Sequence, residues 1–167
     1  MLYSTPIVKI IVEYIEVMTL TAEQHTFVPV NICHVYSPTR EERCVIALAT
    51  AVAHSSDVRH RHGAVISRVK DGEVLSVSCN KLPENGHRNP QLHAEARALR
   101  SYTERYFEFE SEIFMVVVRV SKTGILRMSK PCRNCFMRIA RQANLSYVIF
   151  SDGEGNFGKM FLSTFRK

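Results

Sequence analysis

Two short motifs constrain this chain more than anything else in it: His93-Ala94-Glu95 and, well downstream, Pro131-Cys132-Arg133-Asn134-Cys135. Cys132 and Cys135 stand three apart behind a proline that suits the start of a helix, so both sulfurs leave the first turn on one side. The helix dipole and the exposed N–H groups of that turn are expected to lower both thiol pKa values. A fold that carries His93 to the same point completes a His/Cys/Cys donor set, which suits Zn2+ and leaves its fourth tetrahedral position open. An open position belongs to catalysis, because zinc brings the pKa of water down to about 7 and makes a nucleophile at neutral pH. Glu95, two residues from the histidine, reaches the same neighbourhood without being needed as a ligand, which suits a proton carrier. A redox Cys-x-x-Cys competes with this reading but leaves His93 and Glu95 unexplained. A closed structural zinc site needs a fourth protein donor, for which Cys79 or His87 is available.

The surrounding pattern places the motifs. Ser37-Pro38-Thr39 offers a helix start with Glu41 and Glu42 in the first turn, and the helix runs to about Ala53. Gly63 to Ile66 and Val74 to Ser78, joined at Lys70-Asp71-Gly72, form a predicted β-hairpin. A loop rich in Pro, Gly and Asn, 82–90, leads to a helix from near Gln91 to about Tyr106 with His93 and Glu95 at its start. Ile113 to Val120 is a buried strand, Lys122-Thr123-Gly124 a turn, and Pro131 opens a third helix bearing Phe136, Ile139, Ala140 and Ala143 that stops near Asn144. Ser146 to Phe150 is another strand. Ser151 to Asn156 is too short for a crossover helix and carries turn chemistry, so the strand from Phe157 toward Phe165 is expected antiparallel to its predecessor. The alternation is that of an α/β fold with a mixed sheet.

At 167 residues the chain suits one domain, 37–167, with an N-terminal extension, 1–36, of unassigned structure. Ile7 to Leu20 is apolar, but Lys9, Glu13 and Glu16 break it well short of the roughly 18 uncharged residues that a membrane span requires, so no membrane is expected. Five sparse cysteines, an odd number, fit no secreted disulfide framework and point to a reducing cytoplasmic compartment. Cys33, Cys44 and Cys79 read as buried small residues. The formal charge of +6 favours anionic partners. Arg59-His60-Arg61-His62 and His87-Arg88 flank the motifs and are candidates for phosphate recognition, with solvated surface as the alternative.

Gly63-Ala64-Val65-Ile66, Asn80, His93-Ala94-Glu95 and Ser129-Lys130-Pro131-Cys132-Arg133-Asn134-Cys135 together resemble the zinc-dependent cytidine and deoxycytidylate deaminase superfamily, whose signature is H-x-E followed by P-C-x-x-C. The resemblance covers about residues 39 to 152. It implies a three-layer fold with a mixed five-stranded sheet and helices on both faces, Zn2+ held by His93, Cys132 and Cys135, and Glu95 as acid and base in hydrolytic deamination. It further implies Asn80 against the sugar, the Ala94 backbone N–H against the base carbonyl, and a homo-oligomer. The short link between the last two strands resembles the nucleoside branch of the superfamily, whereas a histidine as first ligand resembles the others. A free cytosine nucleoside or nucleotide is the expected small-molecule substrate. Editing of cytosine or adenine in single-stranded DNA or RNA is the alternative, which the lack of tryptophan and of an aromatic run disfavours. A non-catalytic zinc-bearing binding module is a third, which the presence of Glu95 disfavours.

Overall fold

Ile113 to Val120 is apolar at every position but one, and a strand with no polar face must lie at the centre of a sheet covered on both sides. It does so. In a computed structural model, which describes residues 32–82, 93–106, 108 and 110–162, the elements are β1 (Ile32–Tyr36), α1 (Arg40–His54), β2 (Arg61–Arg68), β3 (Val74–Cys79), α2 (Ala94–Arg105), β4 (Ile113–Val120), β5 (Leu126–Arg127), α3 (Arg133–Ala140), β6 (Leu145–Ser151) and β7 (Phe157–Phe161). The strands order as β1-β7-β6-β4-β2-β3, with β5 paired to β4. β4 and β6 are parallel, joined across α3. The other pairs are antiparallel, including β6 with β7.

Alternate residues of the central strands serve opposite faces. Val65, Phe114, Val116 and Val118 pack under Val45, Ile46, Ala49 and Ala53 of α1. Ala64, Ile66, Met115 and Val117 pack under Ala94, Ala98, Leu99 and Tyr102 of α2 and Ile139 of α3. The result is the α/β three-layer architecture expected from the sequence, with helices on both faces. Gly63 sets the depth of one face, since a Cβ there would stand 2.1 Å from the Ala49 carbonyl oxygen.

Where the sequence reading expected five strands, two more are present. Residues 32–36, left in the extension, add an edge strand to β7 (Ile32 opposite Met160). β5 is a two-residue strand inside a segment read as turn, too short to carry a pattern. α3 stops at Ala140 and not near Asn144, because Leu145 already begins β6 and Ile113 N–H bonds the Asn144 carbonyl at 2.9 Å. Of the cysteines expected to be buried, Cys44 is exposed and Cys79 half-buried. The buried face of α1 runs through Glu42, Val45, Ile46, Ala49 and Ala53, which turns Cys44 to solvent. Ile7 to Leu20, His87 and Arg88 lie outside the described residues; among those described, no helix is long and apolar enough to cross a membrane.

A buried polar cluster secures the β1 edge. Thr39 and Glu42 form a capping box at the start of α1, with Thr39 N–H donating to Glu42 Oε2 at 2.8 Å and Glu42 N–H to Thr39 Oγ1 at 3.2 Å. The Tyr36 hydroxyl also donates to Glu42. Lys159 of β7 reaches Glu42 Oε1 at 3.0 Å and lies 3.6 Å over the Tyr147 ring.

Candidate metal centre and active site

α2 and α3 start side by side on one face of the sheet, and the residues capping them are His93 and Cys132. Neither side chain caps its own helix with a hydrogen bond. His93 Nδ1 stands 3.4 Å from Cys135 Sγ and 3.7 Å from Cys132 Sγ. The donor atoms of His93, Cys132 and Cys135 all lie within 4.8 Å of one another. Two sulfurs and an imidazole that converge in this way fit zinc. Among the described residues no other His, Cys, Asp or Glu joins the group, so Cys79 is not a fourth donor. Three ligands, the number that the described residues supply, would leave a coordination position for water or substrate.

The expected lowering of both thiol pKa values is not what the fold produces at Cys135. Burial pushes this thiol up, and the charges of Glu95 and Cys132 add to the effect. Desolvation and negative neighbours outweigh the helix N-terminus there. A dication offsets that same negative charge, which is the electrostatic counterpart of the donor geometry.

Glu95, in the first turn of α2, is 4 % exposed. Burial pushes its carboxyl up against the lowering effects of its own backbone N–H, His93 and a hydrogen bond with Cys135. A carboxyl beside the ligands that accepts a proton more readily than usual suits proton transfer near neutral pH. Ala94 is fully buried at the first helical position, where a backbone N–H has no partner within the helix.

Asn80 ends β3. Its Oδ1 accepts from His62 N–H at 2.8 Å and from Ser56 Oγ at 2.7 Å, while its Nδ2 donates to the His60 carbonyl at 2.7 Å. These bonds fix the 60–62 segment, and one amide hydrogen is left for another acceptor. The Arg97 guanidinium, on α2, donates to the Cys79 carbonyl and ties the end of β3 to the helix that carries Glu95. His62, read from the sequence as one of a basic cluster, is neutral in the fold: burial brings it down to about 4, helped by the charges of Arg119, His93 and His60.

Sequence reasoning assigned no role to a serine clamp on the segment before Pro131. Ser129 Oγ donates to the Val117 carbonyl at 2.7 Å and accepts from Ser151 N–H at 2.8 Å, while Ser151 Oγ reaches the Arg127 carbonyl at 2.6 Å. Two buried serines on different elements thereby pin the segment before Pro131 to β4 and β6; their separation in sequence hides the pairing.

Residues 39–151 match the family described as cytidine and deoxycytidylate deaminase zinc-binding region, a span that contains both motifs. No curated protein matches the chain. The cytidine deaminase of Burkholderia pseudomallei has a similar structure at 17% identity and a TM-score of 0.53, covering 74% of this chain and 94% of its own; this likeness concerns the fold. The dCMP deaminase of cyanophage S-TIM5, in complex with dCMP and dUMP, is 24% identical over 69% of this chain and 83% of its own, with a TM-score of 0.45.

Proposed function

Because the chain belongs to the cytidine and deoxycytidylate deaminase family of zinc-binding proteins, we propose that it is a hydrolase that replaces the amino group of a free cytosine nucleoside or nucleotide by a carbonyl and releases ammonia. The observation that carries the reading is the convergence of His93, Cys132 and Cys135 beside the buried Glu95.

His93, Cys132 and Cys135 would hold zinc, which when bound would supply the Lewis acidity that makes water nucleophilic at neutral pH. Glu95 takes a proton from the attacking water and delivers it to the ring nitrogen, then takes the remaining proton of the added hydroxyl and hands it to the amine, so that the C–N bond breaks, ammonia leaves and the carbonyl forms. Burial keeps its carboxyl responsive to both tasks. The Ala94 N–H, unpaired within the helix, holds the base carbonyl. Asn80 offers its remaining amide hydrogen to the sugar and holds the 60–62 segment in register. Ser129 and Ser151 act through Cys132 as positioning residues.

A mass-spectrometric screen of the zinc-loaded protein tests the reading, with cytidine, deoxycytidine, their monophosphates, adenosine and a short cytosine-bearing single strand as substrates. Conversion of at least one free cytosine compound to its uracil counterpart is expected. Conversion of none, or only within the strand, overturns it.

A further inference from the structure

The segment before β2, the end of β4 and β5 line an open cavity of about 300 Å³ bearing Arg59, His60, Arg119, Ser121, Lys122 and Arg127. Arg119 is registered opposite His62 on β2 and opposite Arg127 on β5, so the two arginines project from one face of the sheet. The alternation Met115, Val117, Arg119 puts that face on the side of α2 and α3, where Met115 and Val117 meet the helices whose N-termini carry His93, Cys132 and Cys135. Arg119 and Arg127 therefore share the sheet face that carries α2 and α3, and His62, opposite Arg119, interacts electrostatically with both Arg119 and His93.

The cavity gathers three arginines and a lysine. Among the described residues, no carboxylate forms an ion pair with Arg59, Arg119, Lys122 or Arg127. Arg119 Nη2 lies 2.8 Å from His60 Nδ1, which accepts its hydrogen and holds the guanidinium at the cavity wall. Cations gathered around a concave space focus a positive potential into it. Arginine's planar fork matches phosphate oxygens in pairs.

We propose that this cavity takes the phosphate of the substrate, so that the protein acts on a cytosine nucleoside monophosphate in preference to the nucleoside. The proposal rests on the deaminase reading above and narrows its substrate class. A single phosphate is favoured over a polynucleotide backbone because the cations surround one compact cavity, whose lining holds no aromatic ring on which successive bases could stack.

Two measurements on the zinc-loaded protein test it. The first compares kcat/KM for CMP and dCMP with cytidine and deoxycytidine, in the parent and in Arg119→Ala, Arg119→Lys and Arg127→Ala. The monophosphate should be preferred by about tenfold or more, as charge-assisted hydrogen bonds allow. That ratio should fall about tenfold in either alanine variant, with partial recovery in Arg119→Lys, which keeps charge but loses the fork. Equal parental rates for nucleoside and nucleotide, a ratio unmoved in both alanine variants, or faster turnover of a single strand than of the monophosphate overturns the proposal. The second measurement is calorimetric titration with inorganic phosphate, which reads the cavity without any turnover. Phosphate binding that is lost in Arg119→Ala supports the cavity even if no cytosine compound is converted, an outcome that would sink the deaminase reading alone. Nucleoside turnover without phosphate binding overturns the cavity and leaves the deaminase reading standing.

Discussion

Lys159→Met leaves the Glu42 carboxylate buried with one partner fewer, in a protein where that carboxylate joins β1, α1 and β7. The parent pair is 3.0 Å apart, with side-chain exposures of 11% for Lys159 and 4% for Glu42. Removing one partner of a buried pair costs about 3–5 kcal/mol, because the remaining charge is stranded. In a chain of this size each kcal/mol lowers Tm by about 2–4 °C, so a fall of about 6–20 °C is expected. The pH dependence fixes the cause. Burial alone would raise the Glu42 carboxyl, but hydrogen bonds from Tyr36, Thr39 and Lys159 bring it below its ordinary value. A carboxylate lowered in this way stabilises the fold above its unfolded pKa and loses that contribution as pH falls through the folded value. The variant's carboxyl, short of a cation, protonates at higher pH, so the stability gap is widest near neutrality and narrows in acid. Urea denaturation of parent, Lys159→Met, Glu42→Gln and the double variant across that range is the assay, and the double variant should cost less than the single changes summed. A loss in Lys159→Met below about 1 kcal/mol, or a gap independent of pH, refutes the reasoning.

Gly63→Ala drives a Cβ into the Ala49 carbonyl oxygen at 2.1 Å and the Ala53 nitrogen at 2.7 Å. It should cost about 1–3 kcal/mol by overpacking, read by denaturant titration, and a midpoint equal to the parent's would mean that α1 yields freely. Cys132→Ser and Cys135→Ser should each lose tightly held zinc by metal analysis, whereas zinc contents equal to the parent's would misplace the site. Chelation of the parent should lower its Tm, because ligand binding energy is also folding energy at such a centre.

The sequence made the site legible because its chemistry is local in two places. The Cys-x-x-Cys spacing and the helix starts at His93 and Cys132 are readable from neighbours alone, and the fold brings them together. The antiparallel β6–β7 pair was also legible, since the length of a link decides what connection it can make. What escaped is non-local. β1 is recognisable only through its partner β7. The Ser129–Ser151 clamp and the Arg119–Arg127 register require knowledge of which strands adjoin. Net burial, which keeps the Cys135 thiol high and His62 neutral, follows from packing depth and overrode the helix-dipole expectation.

The central claim is that Glu95 moves protons at a zinc centre, and ammonia release by Glu95→Gln bears on it most directly. The glutamine keeps the size of the side chain and removes its basicity. With zinc content equal to the parent's, the account predicts that turnover of the best cytosine substrate falls toward the upper end of the hundred- to ten-thousand-fold range of general acid–base catalysis, about ten-thousand-fold. A zinc-loaded Glu95→Gln protein that releases ammonia at about a tenth of the parental rate or faster, against that range, would contradict it.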